Sequence, residues 1–418
     1  MLKLAKGRYV LDNPLFIHDS HTVLRGAGTD ETTLHFTRPL EQSIGHAEDS
    51  GGGSVWSWTG GQVFFIARER LKASKSANWN FETNTEGWLP GPTLATVTPA
   101  TRGTDVLLVD DTSKITPGDM ALLEVDNLQD RRLLREMAGD VVGAQTYDWA
   151  TQAARIAAPV TLADFATWRW PIVVTEVLSP RTVRIEQPLR ITIHRETLAR
   201  LRALGPTVHD SGVEEVTIDN KLLTQTKHNV NPGSNGVCFQ AVHDCWATNI
   251  RVTNADCAFA MTSAKSCTLS GISNRGRSIH HFVACRVQSH DNLVEDFLLE
   301  EFTIPAVLGS YFHGLNLEGL SSGNVYRRGV MQAGTFDSHR QMPFENLRTG
   351  ITITNKDAVP GGAFDAGPRY GCRSVHWGVT VTNGNNVCME ISDAAPRSLT
   401  AGIVGLSEPG SRLGNEFG

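Results

Sequence analysis

The stretches Gly350-Ile-Thr-Ile-Thr-Asn355 and Gly378-Val-Thr-Val-Thr-Asn383 repeat one pattern, in which glycine precedes two apolar–threonine pairs and asparagine follows them. The two stretches lie 28 residues apart. Alternating apolar and β-branched residues predict a short strand, and the flanking Gly and Asn predict turns. A strand-and-turn unit that recurs at such a spacing is typical of stacked repeats, in which each unit buries its apolar side against the next one.

Earlier stretches have the same outline, an apolar–polar–apolar core that closes on Asn or Gly. Examples are residues 212–220, 247–254 and 265–272. Strands that close on Asn220, Asn254 and Asn383 predict asparagines stacked at successive turns. We therefore predict an all-β parallel β-helix, a solenoid of stacked coils. A β-sandwich is the alternative, since it has similar strands, but it does not predict the recurring Asn or Gly.

One part of the chain departs from this pattern. Residues 106–109, 118–125 and 171–177 alternate like strands of a small antiparallel unit. Short helices are predicted at 128–137 and 195–203, and the same part holds five tryptophans: Trp79, Trp88, Trp149, Trp168 and Trp170. We therefore expect first β-helix coils in 1–77, an inserted β-rich subdomain in 78–205, and the main coils with the substrate groove in 206–418.

Composition limits the classes of function. The 418-residue chain has a formal charge of −6, which does not fit the broad basic surface of a nucleic-acid binder. Apolar runs are too short for a membrane span. All seven cysteines follow position 237 without Cys-x-x-Cys spacing, so we expect buried, small apolar residues rather than zinc or redox motifs.

The first coil carries a family resemblance. Gly7-Arg-Tyr-Val-Leu11, followed by Thr22-Val-Leu-Arg-Gly-Ala-Gly-Thr-Asp-Glu-Thr-Thr-Leu34, resembles the opening of pectate-lyase-like right-handed parallel β-helix proteins, which are carbohydrate-active. The resemblance implies the right-handed form of the solenoid. The family's upstream segment and helical cap do not precede Gly7, and no signal-peptide core is visible, so a start inside a longer reading frame is expected.

Within this superfamily the resemblance is to an uncharacterised branch. Phe312-His313-Gly314 stands where polygalacturonase-type hydrolases have Gly-His-Gly, and their Arg-Ile-Lys element has no counterpart here. Asp337-Ser-His-Arg340 is similar, loosely, to the Asp-x-His element of alginate epimerases and lyases on this fold. The resemblance therefore implies action on a polysaccharide and leaves the reaction open.

Histidines on successive coils are candidates for the chemistry. His281, His313 and His339 are separated by roughly one coil, so they are expected to line one groove. β-Elimination of a uronate needs a base for the C5 proton and a cation that neutralises the sugar carboxylate. We predict His339 as base, Arg340 as the neutralising cation and Asp337 as the group that orients the imidazole. Adjacent residues of a strand face opposite sides, so His339 and Arg340 can act together only on a loop or bulge. Pro343, which follows them closely, indicates a turn there.

Further residues are predicted to bind the substrate, an acidic polysaccharide or oligosaccharide. They combine histidines and charged groups of the later coils with tryptophans of a glycine-rich loop: His281, Arg286, His290, Asp291, His313, Glu345, Trp56 and Trp58. Neither nucleic acid nor membrane is an expected partner. A substrate of this size implies an extracellular or periplasmic location.

Two other functions stay open. A glycoside hydrolase needs two carboxylates at a fixed separation, and the candidates are Asp291, Glu295, Asp296, Asp337 and Glu345. A tailspike-like surface protein would bind the glycan without cleaving it. No cofactor or metal is assigned, although carboxylates on neighbouring coils make calcium a candidate.

Overall fold

The computed structural model describes residues 1–47, 53–76, 87–126, 131–146, 167–307, 312–334, 336–354, 370–382, 395–405 and 412–413. Trp79, Trp149, Asn383 and Cys388, which figure in the sequence predictions, lie outside these ranges. No helix in the described ranges has the length and apolar character needed to span a membrane.

The chain begins with short strands that form the first turns of a solenoid. Up to residue 76 the elements are β1 (Leu2–Lys3), β2 (Gly7–Leu11), β3 (Leu15–Ile17), β4 (Val23–Arg25), β5 (Thr32–Phe36), α1 (Leu40–Ser43), a 3-10 turn (Val55–Ser57), β6 (Val63–Phe65) and α2 (Arg68–Ser76).

A block of longer strands follows. Its elements are β7 (Pro90–Val97), β8 (Val106–Leu108), β9 (Met120–Asp126), α3 (Arg132–Met137), α4 (Val142–Thr146), β10 (Thr167–Ser179), β11 (Thr182–Ile185) and β12 (Ala199–Leu204). They pair antiparallel in the order β7-β12-β9-β10-β11-β8, which we call sheet C.

The remaining strands continue the solenoid. They are β13 (Val208–His209), β14 (Gly212–Asn220), β15 (Val237–His243), β16 (Trp246–Thr253), β17 (Cys257–Lys265), β18 (Thr268–Arg275), β19 (His281–Arg286), β20 (Leu293–Glu295), β21 (Leu298–Leu299), β22 (His313–Leu317), β23 (Val325–Met331), β24 (Phe336–Ser338), β25 (Leu347–Ile353), β26 (Val375–Trp377), β27 (Thr380–Val381), β28 (Leu399–Ala401) and β29 (Arg412–Leu413).

Two long sheets wrap around one apolar core. Sheet A follows the order β1-β4-β14-β16-β18-β20-β23-β25-β26-β28-β29, and sheet B follows β24-β22-β19-β17-β15-β6-β3. Their pairings are parallel, apart from β28 with β29. The fold is therefore the right-handed parallel β-helix that the sequence predicted, carrying an inserted antiparallel sheet. One pass of the chain through both sheets is called a rung below.

A stacked left-handed position in sheet A explains the glycine of the opening motif. Gly350 and Gly378 have φ values of 59° each, and the register places Arg328, with φ 51°, one rung before Gly350. Asn249 and Asp296 occupy the same position of earlier rungs, also with positive φ. Glycine adopts this conformation without steric cost, and Asn or Asp tolerates it. The opening motif is therefore most easily recognised in the rungs that have glycine at this position.

Asparagine side chains connect rungs at the turns. Asn254 donates its amide to the Asn220 carbonyl oxygen at 3.4 Å, as the predicted stacking requires. A second ladder, which the sequence did not indicate, joins Asn292, Asn324 and Asn346 through side-chain hydrogen bonds of 2.9 and 3.0 Å. These amides satisfy backbone groups that the turns leave unpaired.

Sheet C interrupts a single rung. Strands β6 and β13 both pair with β15, so the chain leaves sheet B after Phe65 and returns at Val208. Residues 78 and 205, the predicted subdomain boundaries, stay a prediction. The helix predicted at 195–203 is wrong: β12 is a strand there, because Ala199 and Leu201 face the core while Arg200 and Arg202 pair with Glu124. The helix predicted at 128–137 corresponds to α3.

The described cysteines are buried, as the sequence predicted, and all of them are free thiols. They are Cys238, Cys245, Cys257, Cys267, Cys285 and Cys372. Most of them serve as small apolar residues of the solenoid core or of its covered outer face.

Candidate functional site

The histidines that the sequence grouped lie together on the outer face of sheet B. His281 and His313 begin β19 and β22 and are direct partners in the parallel register, with ring centroids 4.9 Å apart. His339 follows β24, and its ring lies 4.7 Å from that of His313. Stacking of rungs therefore brings together side chains that are 26 and 32 residues apart in the chain.

Asp337 lies at the centre of this group. Its carboxylate is fully buried, accepts a hydrogen bond from the Asn316 amide at 2.9 Å, and lies 3.1 Å from Nδ1 of both His313 and His339. Burial by itself raises the pKa of Asp337, but His339 and His313 outweigh it and hold the pKa well below its usual range. Asp337 therefore acts as a fixed carboxylate between two imidazoles.

The turn after β24 exposes the two residues predicted to do the chemistry. Gln341 and Met342 have positive φ, so the chain bends directly after His339 and Arg340, as their predicted cooperation requires. The His339 and Arg340 side chains are 15% and 28% exposed. Since Nδ1 of His339 faces Asp337, Nε2 is the ring nitrogen left for a substrate.

Arg286, Arg340 and Glu318 form a charged group beside the histidines. Glu318 accepts a hydrogen bond from Arg286 Nε at 2.6 Å and forms an ion pair with Arg340, whose Nε lies 3.4 Å away. Burial raises the pKa of Glu318, but the two guanidinium groups outweigh it and lower the pKa to about 2. Two cations thus share one carboxylate, and among these three groups one positive charge is left over. Sequence reasoning missed Glu318, since nothing in its local sequence distinguishes it from a surface residue.

Two more histidines belong to the cluster. The ring of His280 lies 4.3 Å from that of His281, and the ring of His228 lies 4.7 Å from that of His280. Burial and the neighbouring imidazoles lower the pKa of His280 and His281 well below 6.5 and that of His228 to about 4. His228 lies on a segment between β14 and β15, so no rung spacing in the sequence indicates it.

The predicted tryptophan pair is divided between core and surface. Trp56 is fully buried, packs with Leu40 and Cys238, and donates its indole N–H to the Gly45 carbonyl oxygen. Its predicted role as a sugar platform is therefore wrong, because an indole without exposed area cannot stack on a sugar. Trp58 is only partly buried, and the Arg286 guanidinium lies 5.5 Å from its ring centroid.

His290, Asp291 and Glu345 lie at a different place, the contact between the solenoid and sheet C. His290 is buried, with Nε2 3.0 Å from the Arg169 carbonyl oxygen. Asp291 pairs with Arg190 of the insertion, and Glu345 with Arg102 of the insertion. Their predicted contact with substrate is therefore corrected to an interface role, since their polar atoms already meet partners from the insertion.

The other carboxylates considered for hydrolysis lie on sheet A. Glu295 ends β20 and contacts both Arg327 and Arg328, and Asp296 contacts Arg328 at 2.7 Å. Asp337 is on sheet B. Asp291 and Glu345 share Arg190 at the contact with the insertion, and Glu295 and Asp296 share Arg328 on sheet A.

Potential metal ligands occur in three groups within the described ranges. Two of them share His313: one adds His228 and His280, and the other adds His281 and Asp337. The third is His21, His209 and Asp210, largely exposed. In each group the ligand atoms lie within 4.8 Å of one another. None of the three offers more than one carboxylate, whereas calcium takes six to eight oxygen ligands, so these groups do not suit calcium.

Comparisons with known proteins add solved structures of similar architecture. Neither a family model nor a curated protein matches the sequence. The tailspike protein gp49 from Pseudomonas phage LKA1 aligns with 91% of this chain at 12% identity and a TM-score of 0.45. The Gp54 tailspike of Acinetobacter baumannii bacteriophage AP22, solved in complex with a capsular saccharide, aligns with 91% at 12% identity and a TM-score of 0.43. The tailspike gp61 of Pseudomonas phage phi297 aligns with 97% at 10% identity and a TM-score of 0.33.

The chain spans 54% and 53% of the length of the first two tailspikes and 71% of the third. The fold assigned above comes from the strand pairing of the chain itself.

Proposed function

We propose that the protein binds an acidic polysaccharide along the outer face of sheet B and cleaves it by β-elimination at His339. The observation that carries the proposal is the pairing of His339 with the buried carboxylate of Asp337 next to Arg340, at the exposed turn after β24. A base with a fixed ring orientation and an adjacent cation are the two groups that elimination from a uronate needs.

In the proposed reaction the C5 proton of the uronate moves to Nε2 of His339. The C4–C5 double bond forms as the bond from C4 to the glycosidic oxygen breaks, and the departing oxygen gains a proton from solvent. Asp337 stabilises the resulting imidazolium because its carboxylate lies 3.1 Å from Nδ1. Its burial keeps that contact free of competing water.

The cations beside the base supply the second requirement. Arg340 is more exposed than Arg286, and Glu318 balances only one of the two guanidinium groups. A sugar carboxylate placed against Arg340 would meet the remaining positive charge, which favours the charge that develops at C5. Partly exposed Trp58, next to Arg286, offers a ring face for the neighbouring sugar.

His281, His313 and Arg286 have a supporting role in this proposal. Their exposed fractions are 5%, 8% and 3%, too small for direct sugar contact. They hold the positions of Asp337, Glu318 and Trp58 instead. An extracellular or periplasmic location follows from the size of such a substrate and is part of the proposal.

The test is a panel of acidic polysaccharides assayed for the ultraviolet absorbance of a 4,5-unsaturated uronate. We expect one substrate to produce this absorbance, and His339→Ala to lower the rate about 10²–10⁴-fold. His243→Ala is the matched control: His243 also faces a carboxylate, Asp244, at 2.8 Å and has 13% exposure, but it lies on β15. The control should retain the wild-type rate.

Three outcomes would contradict the proposal. Reducing ends without absorbance would show a hydrolase. Retention of the polysaccharide without any product would show a binding protein of the tailspike type. An active His339→Ala variant would show that another group is the base.

A further inference from the structure

The histidine cluster contains groups that the elimination reaction does not use. The proposed elimination assigns no step to His228 or His280. Yet the His280 ring lies 5.1 Å from His313, and the His228 ring lies 5.7 Å from it. Three imidazoles thus converge on one point behind the proposed catalytic turn.

His280 has one ring nitrogen occupied and one without a partner. Its Nδ1 lies 3.0 Å from the Ser57 carbonyl oxygen, so it donates its proton there. Its Nε2 is buried and has no hydrogen-bond partner, although the residue is only 2% exposed. A buried nitrogen with a lone pair and no partner is costly to keep, and a cation would satisfy it.

His313 has a corresponding arrangement. Its Nδ1 lies 3.1 Å from the Asp337 carboxylate, which leaves Nε2 for a second partner. Histidines that bind metals almost always engage their other ring nitrogen with a carboxylate or a backbone carbonyl, which fixes the ring and raises its basicity. His280 and His313 each show one of these two arrangements.

His228 completes the set from a third direction. The candidate ligand atoms of His228, His280 and His313 all lie within 4.8 Å of one another. Metal–nitrogen bonds of about 2.0–2.1 Å in a tetrahedral site place the nitrogens about 3.4 Å apart. Small changes of side-chain torsion would bring the three nitrogens from their present separations to this spacing. His280 and His313 are buried, whereas His228 is partly exposed, so the site has one side open toward solvent.

We propose that His228, His280 and His313 bind one divalent transition-metal ion through their ring nitrogens, with Asp337 and the Ser57 carbonyl as outer partners. Imidazole ligands suit zinc, copper, nickel or iron rather than calcium or magnesium.

The overlapping group of His281, His313 and Asp337 is the rival for the same ion. We favour the three histidines because Asp337 already accepts a hydrogen bond from Asn316 and faces His339 as well. The three-histidine site leaves that network intact. The inference is independent of the proposed elimination, because it is measured by metal binding alone.

The experiment titrates the full chain, purified without an affinity tag and stripped by a chelator, with Zn²⁺ in a calorimeter. A second titration uses Co²⁺ and follows its visible absorption, which reports tetrahedral nitrogen coordination. We expect one ion per chain. His228→Asn and His280→Asn should each weaken affinity about 100-fold, since loss of even an outer partner costs about 10–100-fold.

Matched controls separate this site from its neighbours. His243→Asn should bind like the wild type, and so should His209→Asn, which removes a ligand of the exposed group. Metal-free circular dichroism checks folding, and the partly exposed His228→Asn is the variant least expected to disturb it. Binding of no ion, or unchanged binding by His228→Asn and His280→Asn, would overturn the proposal. Loss of binding only in His281→Asn and Asp337→Asn would assign the ion to the rival group and overturn it equally.

Discussion

The early and late rungs of sheet B present the same column of outward positions with opposite chemistry. From Phe64 the column continues through Cys238, Ala260 and Ala284, and one rung later it becomes Asn316 and then Asp337. The early part is covered by Leu40, Val55 and Trp56, which make it a closed apolar layer. The late part is where the histidines and Arg340 gather.

An inward-facing column of sheet A changes from apolar to polar residues at about the same rung. Val213, Ala247, Leu269 and Val294 are apolar and buried, and the next positions are Tyr326, Arg348 and His376. Arg348 is 3% exposed and donates to the Leu315 carbonyl oxygen at 3.2 Å. A repeat fold thus separates two tasks along its axis: early rungs bury apolar area, and late rungs hold polar groups.

The largest effect is expected from placing a late-rung charge in the early column. Ala284→Asp places a carboxylate in the buried apolar cluster that contains Trp56, Leu40 and Ala260. An uncompensated buried charge costs about 3–5 kcal/mol, so the midpoint of urea unfolding should fall strongly. Ala284→Cys, which copies Cys238 of the same column, should cost about 1 kcal/mol. Equal stability of both variants would show that the early face is not closed.

The Glu318 carboxylate predicts acid sensitivity of the late rungs. Its pKa is about 2 in the folded chain against 4.5 ordinarily, so the group contributes about 3 kcal/mol of stability above pH ~4.5. That contribution is lost as the pH falls from about 4.5 to about 2, because the unfolded state takes up its proton first. Glu318→Gln should therefore be less stable at neutral pH, and its deficit should shrink over this window.

Thermal unfolding measured across this pH range checks the prediction. Glu300→Gln is the control, because Glu300 pairs with Arg275 at the surface and such pairs contribute under about 1 kcal/mol. A deficit of Glu318→Gln that stays constant down to pH ~2 would contradict the role given to Arg286 and Arg340.

Removing the carboxylate from the late column should affect activity more than stability. Asp337→Asn keeps an acceptor for Asn316 but removes the charge that orients His339, so the elimination rate should fall about 100-fold. Asp244→Asn is the matched control, since it removes the same charge from His243 on β15. Product absorbance gives the rate, and a wild-type rate for Asp337→Asn would remove Asp337 from the proposed site.

The smallest effect on stability is expected from the asparagine ladder that connects the late rungs. Asn324 donates to the Ser289 carbonyl oxygen and to Asn346, both at 3.0 Å, and is fully buried. Asn324→Ala leaves these acceptors unsatisfied and should cost about 1–3 kcal/mol in chemical denaturation. Asn13→Ala, at an exposed position, should stay within about 0.5 kcal/mol of wild type. Equal stability of the two variants would show that the ladder contributes nothing.

Sequence reasoning predicted those residues of the site whose positions follow the rung spacing. His281, His313 and His339 are separated by about one rung, and the turn after Arg340 was indicated by Pro343. It missed His228 and Glu318, which join the cluster through tertiary contacts. It also assigned His290 and Glu345 to the groove, because their contacts with Arg169 and Arg102 cross from the insertion and leave no periodic signal.

The repeat could be recognised in only part of the sequence for a similar reason. Where glycine occupies the left-handed position, as at Gly350 and Gly378, the motif stands out. Where Arg328 or Asp296 adopts the same positive φ, neighbouring rungs impose the conformation, and the residue type does not show it.

The sequence by itself determined the all-β solenoid, because strand alternation and turn residues are local properties that recur along the chain. It also determined the burial of cysteines and the polar character of the late rungs. Only the tertiary structure decided which side chains share a face. The insertion splits one rung between Phe65 and Val208, and the segment that carries Trp56 covers one half of sheet B. Contacts between such distant segments depend on strand register and packing, and local sequence patterns predict neither of these.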